Sequence, residues 1–197
     1  MAEREFDEIK SISFEQYFGE MELPEKEKKK RIELAKMFDD FFIYYFGLYL
    51  ADMKRDYVPM IYDKYIELAL WYLGMEKKPE YVTDRASKVA NEIQKTTRNN
   101  SAEYYTSQDR SIIISETETN VLGNYGMQVE AVKNGKTKKT WLTMKDDKVR
   151  DSHVLVDEKT VGIFEYFNVG GAKMLYPGDT SAPPQELINC RCVCKYS

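Results

Sequence analysis

Leu34, Met37, Phe38, Phe41, Phe42, Tyr45, Leu48 and Tyr49 recur at steps of three and four residues, the period of a helix with one apolar face. Pro24, Glu25 and Glu27 mark its start, because proline fits a first turn and acids suit the positive end of the helix dipole. The basic block Lys26, Lys28, Lys29, Lys30 and Arg31 is interleaved with glutamates and reads as a solvated face of that helix. Residues 1–23 are charged with scattered aromatics, Phe6, Phe14, Tyr17 and Phe18, and read as a short helix or an arm that orders on a partner. Val58-Pro59 predicts a break. A second helix follows from about 59 to 73, with Ile61, Tyr65, Leu68, Trp71 and Tyr72 facing in and Gly74 stopping it. A third spans about 80–97 on Val82, Ala86, Val89, Ala90 and Ile93. Ser101 is placed to cap a fourth, starting at 102 or 110 and ending near Gly123, although Ile112-Ile113-Ile114 also suits a strand.

From residue 125 the period changes. Met127, Val129 and Ala131 alternate with polar residues, Asn134-Gly135 suits a two-residue type I′ turn, and residues 139–144 return, which predicts a hairpin. Further strands are expected near 154–156, 163–168 and 173–175, with Gly170-Gly171 as a turn, 180–184 as a rigid loop and the cysteine tail as a closing strand. The fold class is therefore α+β: an N-terminal helical region of three to four helices packed with a small C-terminal antiparallel β module. The expected division is 1–109 and 110–197, with the change from helical to β character near 123 and no linker between.

Composition narrows the class. With 43% hydrophobic and 31% charged residues in 197, the chain can bury a substantial core as a globular protein. A net charge of −4, with no strongly basic segment, gives no dedicated nucleic-acid surface. The charged N-terminus predicts no signal peptide, and the longest apolar run, residues 41–51, falls short of the roughly 20 residues that span a bilayer. All three cysteines sit within five positions, which predicts free thiols and a reducing cytoplasm rather than a disulfide framework. The 15 tyrosines tilt the reading toward protein interfaces.

The chemistry is concentrated at one end. Residues 141–153 hold Trp141, Asp146, Asp147, Arg150, Asp151, Ser152 and the only histidine, His153, and Cys190-Arg191-Cys192-Val193-Cys194 follows. Three roles compete. His153 with Cys190, Cys192 and Cys194 offers imidazole and thiolate ligands for zinc, although the usual second cysteine pair is absent. A structural knot would pair Arg150 with Asp146, Asp147 or Asp151, hydrogen-bond His153 to backbone and bury the cysteines as small apolar groups. Cys/His catalysis would need an exposed thiolate and an orienting third group.

Lys139-x-Trp141, Asp147-x-Val149-Arg150-x-Ser152-His153, Phe164, Pro177-Gly178-Asp179 and Glu186-x-Ile188-Asn189-Cys190-Arg191-Cys192 stand in the order of the C-terminal signature of phage Mu F-like minor head proteins, which this chain resembles. Ser115-Glu116-Thr117-Glu118-Thr119-Asn120 is similar to the Arg-Thr-Glu-Thr element that opens the family domain, with Glu116 where the family usually has arginine. The resemblance then covers 110–194. It implies a non-enzymatic structural protein of the virion, in the capsid interior or portal region and assembled in the bacterial cytoplasm. Its implied partners are the portal and the major capsid or scaffold protein, with packaged DNA as a further contact. Trp141, Asp147, Arg150, Ser152, His153, Asn189, Cys190, Arg191 and Cys192 are then the family-signature positions. Two alternatives stand beside it: a zinc-binding interaction or DNA-contacting module, and an ADP-ribosyltransferase-like enzyme, since Glu116-Thr117-Glu118 has the Glu-x-Glu form of that active site.

Overall fold

The computed structural model describes residues 14–100 and 102–197. Its elements run α1 (Phe14–Gly19), α2 (Glu25–Ala51), α3 (Val58–Leu73), α4 (Glu80–Asn99), α5 (Ala102–Tyr105), α6 (Gln108–Lys133), β1 (Lys138–Leu142), α7 (Asp151–Val154), β2 (Thr160–Gly162), β3 (Phe167–Val169), β4 (Ala172–Met174), α8 (Pro184–Leu187) and β5 (Val193–Tyr196). The expected α+β class holds, with helices preceding a small antiparallel module. The readings that fell on residues 1–13 and on Ser101 lie outside the described residues.

Helix α2 buries the predicted stripe through Leu34, Phe38, Phe41, Phe42, Tyr45 and Tyr49, against Ile61, Tyr65 and Leu68 of α3 and Val82, Ala86 and Ala90 of α4. Pro59 sits in the first turn of α3, where its missing N–H is harmless, and Gly74 ends that helix at φ 64°. Trp71 does not face in. It stands one position off the 61/65/68/72 stripe and is exposed. Much of the tyrosine is interior instead of interfacial: Tyr17, Tyr45, Tyr49, Tyr57, Tyr65, Tyr72 and Tyr176 are buried.

Helix α6 departs most from the hydrophobic reading. Ile112, Ile113 and Ile114 are helical, and the helix continues through 127–132, where a strand was expected. Asn134-Gly135 does not turn a hairpin. Gly135 at φ 70° donates to the Val132 carbonyl at 3.0 Å and Lys136 to that of Ala131 at 3.0 Å, the paired bonds of a Schellman helix end. The hydrophobic alternation was misleading because the inward side of α6 is polar there, with Asn124 and Gln128 buried one turn apart.

The β module forms a three-stranded sheet in the order β2-β1-β5, all antiparallel, with Trp141 opposite Cys194 and Lys139 opposite Tyr196. A separate hairpin joins β3 and β4 through Gly170-Gly171, at φ 57° and 85°, so the type I′ turn lies here. The strand expected at 154–156 is instead the end of α7 and a turn, leaving Val154 and Leu155 exposed and Val156 buried. The expected 163–168 strand begins only at Phe167, and of the three cysteines only Cys194 lies in a strand.

Three apolar clusters result. One fills the helical bundle. A second surrounds Trp141, Phe167, Val169, Met174 and the cysteines. The third joins them, with Phe14, Tyr17 and Phe18 of α1 packed on Ala35 of α2 and Val193 of β5.

Candidate metal centre

The single turn α7 aims His153 inward beneath Trp141, whose ring stands edge-on at 5.6 Å between centroids. His153 is 1% exposed, and Cys190 and Cys192 are buried beside it. Its Nδ1 lies 3.3 Å from Cys192 Sγ and 3.7 Å from Cys190 Sγ, while Nε2 lies 2.9 Å from Glu186 Oε2. These His and Cys atoms fall within 4.8 Å of one another and could hold a metal ion. A zinc ion with bonds of about 2.3 Å to sulfur and 2.0 Å to nitrogen would set the imidazole nitrogen roughly 3.5 Å from each sulfur. The two observed distances bracket that spacing. Glu186 on the far ring nitrogen is the outer carboxylate that fixes a metal-bound histidine's tautomer.

The three donors are electrostatically coupled. Hydrogen bonding from Cys192 holds the Cys190 thiol well below its ordinary value against the effect of burial, and His153 adds to the lowering. The bond to Cys190 and burial push Cys192 up, so the pair shares one readily formed thiolate. Burial opposes protonation of His153, but its bonds to Cys190 and Glu186 prevail and raise its pKa. Cys194 stands apart, with burial pushing it up to about 12 despite the nearby Lys139.

The surrounding residues fix this geometry differently from the expected knot. Arg150 does not pair with an aspartate; its guanidinium donates to the Ile188 carbonyl. Arg191 takes Asp146 instead, its Nη2 donating to both carboxylate oxygens at 2.8 and 2.6 Å, and ties the loop before α7 to the cysteine tail. His153 bonds side chains, not backbone. Ser152 donates to Glu186 Oε2 at 2.9 Å. Asn189 adopts φ 57°, a left-handed conformation that asparagine tolerates better than most residues, and its backbone N–H donates to Thr117 Oγ1 at 3.3 Å. Asp147 remains exposed on the loop, outside the groups bonded to His153, and Phe164 is 69% exposed.

Sequence reasoning missed the buried polar stripe that carries the cysteine tail. On α6, Asn120 Nδ2 donates to the Cys190 carbonyl at 2.6 Å, Asn124 Nδ2 to that of Cys192 at 3.1 Å and Gln128 Nε2 to that of Ile163 at 3.0 Å. Thr117, Asn120, Asn124 and Gln128 follow the helical period, so a polar version of the hydrophobic count would have found them. Behind them Arg31 of α2, 0% exposed, donates to the Asn120 and Asn124 amide oxygens and to Glu27. Only glycine admits it: a Cβ at Gly123 would lie 2.4 Å from Arg31 Cζ. Glu186 stood in the signature but not among the candidate site residues; its signal was its place four residues before Cys190.

The Glu-x-Glu element is not an active site of the expected form. Glu116 and Glu118 lie mid-helix on α6, where residues two apart point about 200° around the axis from one another. Glu118 is held by Arg85 through both carboxylate oxygens and by Tyr65 at 3.0 Å. Glu116 is buried, and Glu116 Oε1 has no hydrogen-bond partner. Burial raises its pKa to about 8, with Arg191 opposing and Asp39 adding to the rise.

Among the described residues, no helix is long and apolar enough to cross a membrane. No curated protein and no solved structure matches the chain. A family model described as Phage Mu protein F like protein matches residues 84–195, starting within α4 and running through α6 and the His/Cys cluster into β5. That span is more than half the chain, and the protein therefore belongs to the Phage Mu F-like family of structural proteins in phage head morphogenesis.

Proposed function

We propose that this protein is a minor head component that acts near the portal while the procapsid forms, contacting the portal and the major capsid or scaffold protein, with packaged DNA as a further neighbour. The family match carries this reading. The distribution of groups supports it. The signature residues His153, Cys190 and Cys192 are buried, whereas Ile43, Tyr44, Leu50 and Met53 of the α2 region and Trp71 of α3 are exposed and available to other head proteins. We read the chain as a Mu F-like unit over 110–197 and a preceding region, 1–109, whose helices α2, α3 and α5 pack on α6; the family match itself begins earlier, at residue 84 within α4. The virion is the corresponding location, in the capsid interior or portal region. Deleting the gene from the phage or prophage that encodes it should lower the yield of filled heads and of infectious particles, scored by electron microscopy and plaque titre. Normal heads and normal titre would refute the role.

Zinc is the ion this centre would take, because one imidazole and two thiolates are its preferred donors. Elemental analysis of the purified chain should find one zinc, and a chelator should lower the melting temperature. Absent metal with an unchanged melt would leave a hydrogen-bonded knot in its place.

A further inference from the structure

The three donors His153, Cys190 and Cys192 leave a tetrahedral ion one ligand short. All three line one cavity of about 10 Å³ that is partly open to solvent and lined also by Met144, Lys148, Val149 and Arg150. That is about the space one water occupies and far too little for a substrate. Cys194 is poorly placed to complete the set. It is not among the donor atoms that gather within 4.8 Å, being paired opposite Trp141 in the sheet, with Lys139 and Tyr196 as well as Cys190 near its thiol. Glu186 is engaged on the opposite ring nitrogen and does not line the cavity. The cavity wall carries the side chains of Lys148, Arg150 and Arg191 and no carboxylate; Arg191 is neutralised by Asp146, while Arg150 is bonded only to a carbonyl.

We propose that the fourth coordination position of this centre faces that cavity and takes an exchangeable ligand from solvent: a water, replaceable by a single small anion. This rests on the zinc reading above. Zinc with one neutral imidazole and two thiolates carries no net charge, so the uncompensated Arg150 favours an anion in the remaining position. The site is then a structural centre with an open position, which closed four-protein-ligand sites lack.

Cobalt(II) is the probe, because its visible bands report coordination where zinc is silent. The full chain, stripped with chelator, is titrated with cobalt and then with azide. The proposal expects one cobalt, charge-transfer intensity corresponding to two thiolates, and visible bands that shift saturably with azide. The same two-thiolate intensity should persist in Cys194→Ser. Failure to bind cobalt or zinc would overturn the zinc reading and this proposal with it. Cobalt binding with three-thiolate intensity, or with bands that azide leaves unmoved, would overturn the open position while leaving the metal centre standing. The azide arm uses the unaltered chain and so does not depend on the variant folding.

Discussion

Truncating Asn120 to alanine tests whether the polar stripe of α6, and not apolar contact alone, holds the cysteine tail. Asn120 is 2% exposed, accepts from the buried Arg31 guanidinium and donates to the Cys190 carbonyl at 2.6 Å. Asn120→Ala removes these bonds and a longer one to the Cys192 carbonyl at 3.4 Å, leaving the Cys190 carbonyl with only the 3.5 Å bond from the Tyr17 hydroxyl and one guanidinium N–H without a partner, in a site where water has little access. An unsatisfied buried carbonyl costs about 1–3 kcal/mol, and a hydrogen bond to a charged group contributes about 1.5–3 kcal/mol. Arg31 retains Glu27 and Asn124, which limits the loss, so we expect roughly 3–5 kcal/mol out of a total stability of about 5–15 kcal/mol. At about 2–4 °C per kcal/mol for a chain of this size, the melting temperature should fall by roughly 6–20 °C. Urea unfolding at constant m-value measures the difference directly. Asn120→Asp keeps an acceptor for Arg31 but sets a carboxylate oxygen against the Cys190 carbonyl in place of the N–H donor, so it too should destabilise. An Asn120→Ala chain within about 0.5 kcal/mol of its parent would refute the reasoning, because that is the behaviour of a surface position.

Gly123→Ala should destabilise by about 1–3 kcal/mol, because the Arg31 guanidinium it meets is pinned by Glu27, Asn120, Asn124 and Met127, whereas Gly47→Ala, with open space around it on α2, should stabilise by about 0.5–1 kcal/mol. Paired urea midpoints check both, and equal signs would contradict the packing described. Gly170→Ala places a Cβ 2.3 Å from Glu186 Oε1 at φ 57°, and should both lower the melting temperature and weaken zinc binding several-fold by displacing the carboxylate that orients His153; an unchanged zinc titration would count against that orienting role. For Glu116, the folded pKa of about 8 lies above its ordinary 4.5, so the folded state holds the extra proton between these values and stability falls as pH rises from about 4.5 to 8. Glu116→Gln should flatten that limb and gain on the order of 3 kcal/mol near pH 8; urea midpoints equally steep in pH before and after substitution would show the carboxyl to be ionised throughout. Lys139, lowered by burial to about 8, makes a contribution of the opposite slope, rising from about pH 8 to 10.5.

The helical bundle was legible in the chain because burial there is apolar and periodic. The 34/38/41/42/45/49 stripe, the start at Pro24 and the stop at Gly74 each follow from one segment's own side chains. The Gly170-Gly171 turn was legible for the same reason, since two successive positive φ angles are a local demand. Asn134-Gly135 shows where local reading stops. The dipeptide satisfies either a hairpin or a helix end, and the choice was made by Asn124 and Gln128, whose carbonyl partners lie 68 and 35 residues away. Likewise, the sequence brought out the rare residues His153, Cys190 and Cys192 as a group, but ligand spacing along the chain could not say that their donor atoms converge. That was decided by the turn α7, by Asn189 in a left-handed conformation and by the pull of Asn120 and Asn124 on the tail. It also decided that Arg191, not Arg150, takes Asp146. Charge and hydrogen-bond partners are chosen by proximity in space, and only the packing of α6 between the bundle and the sheet brings these groups together.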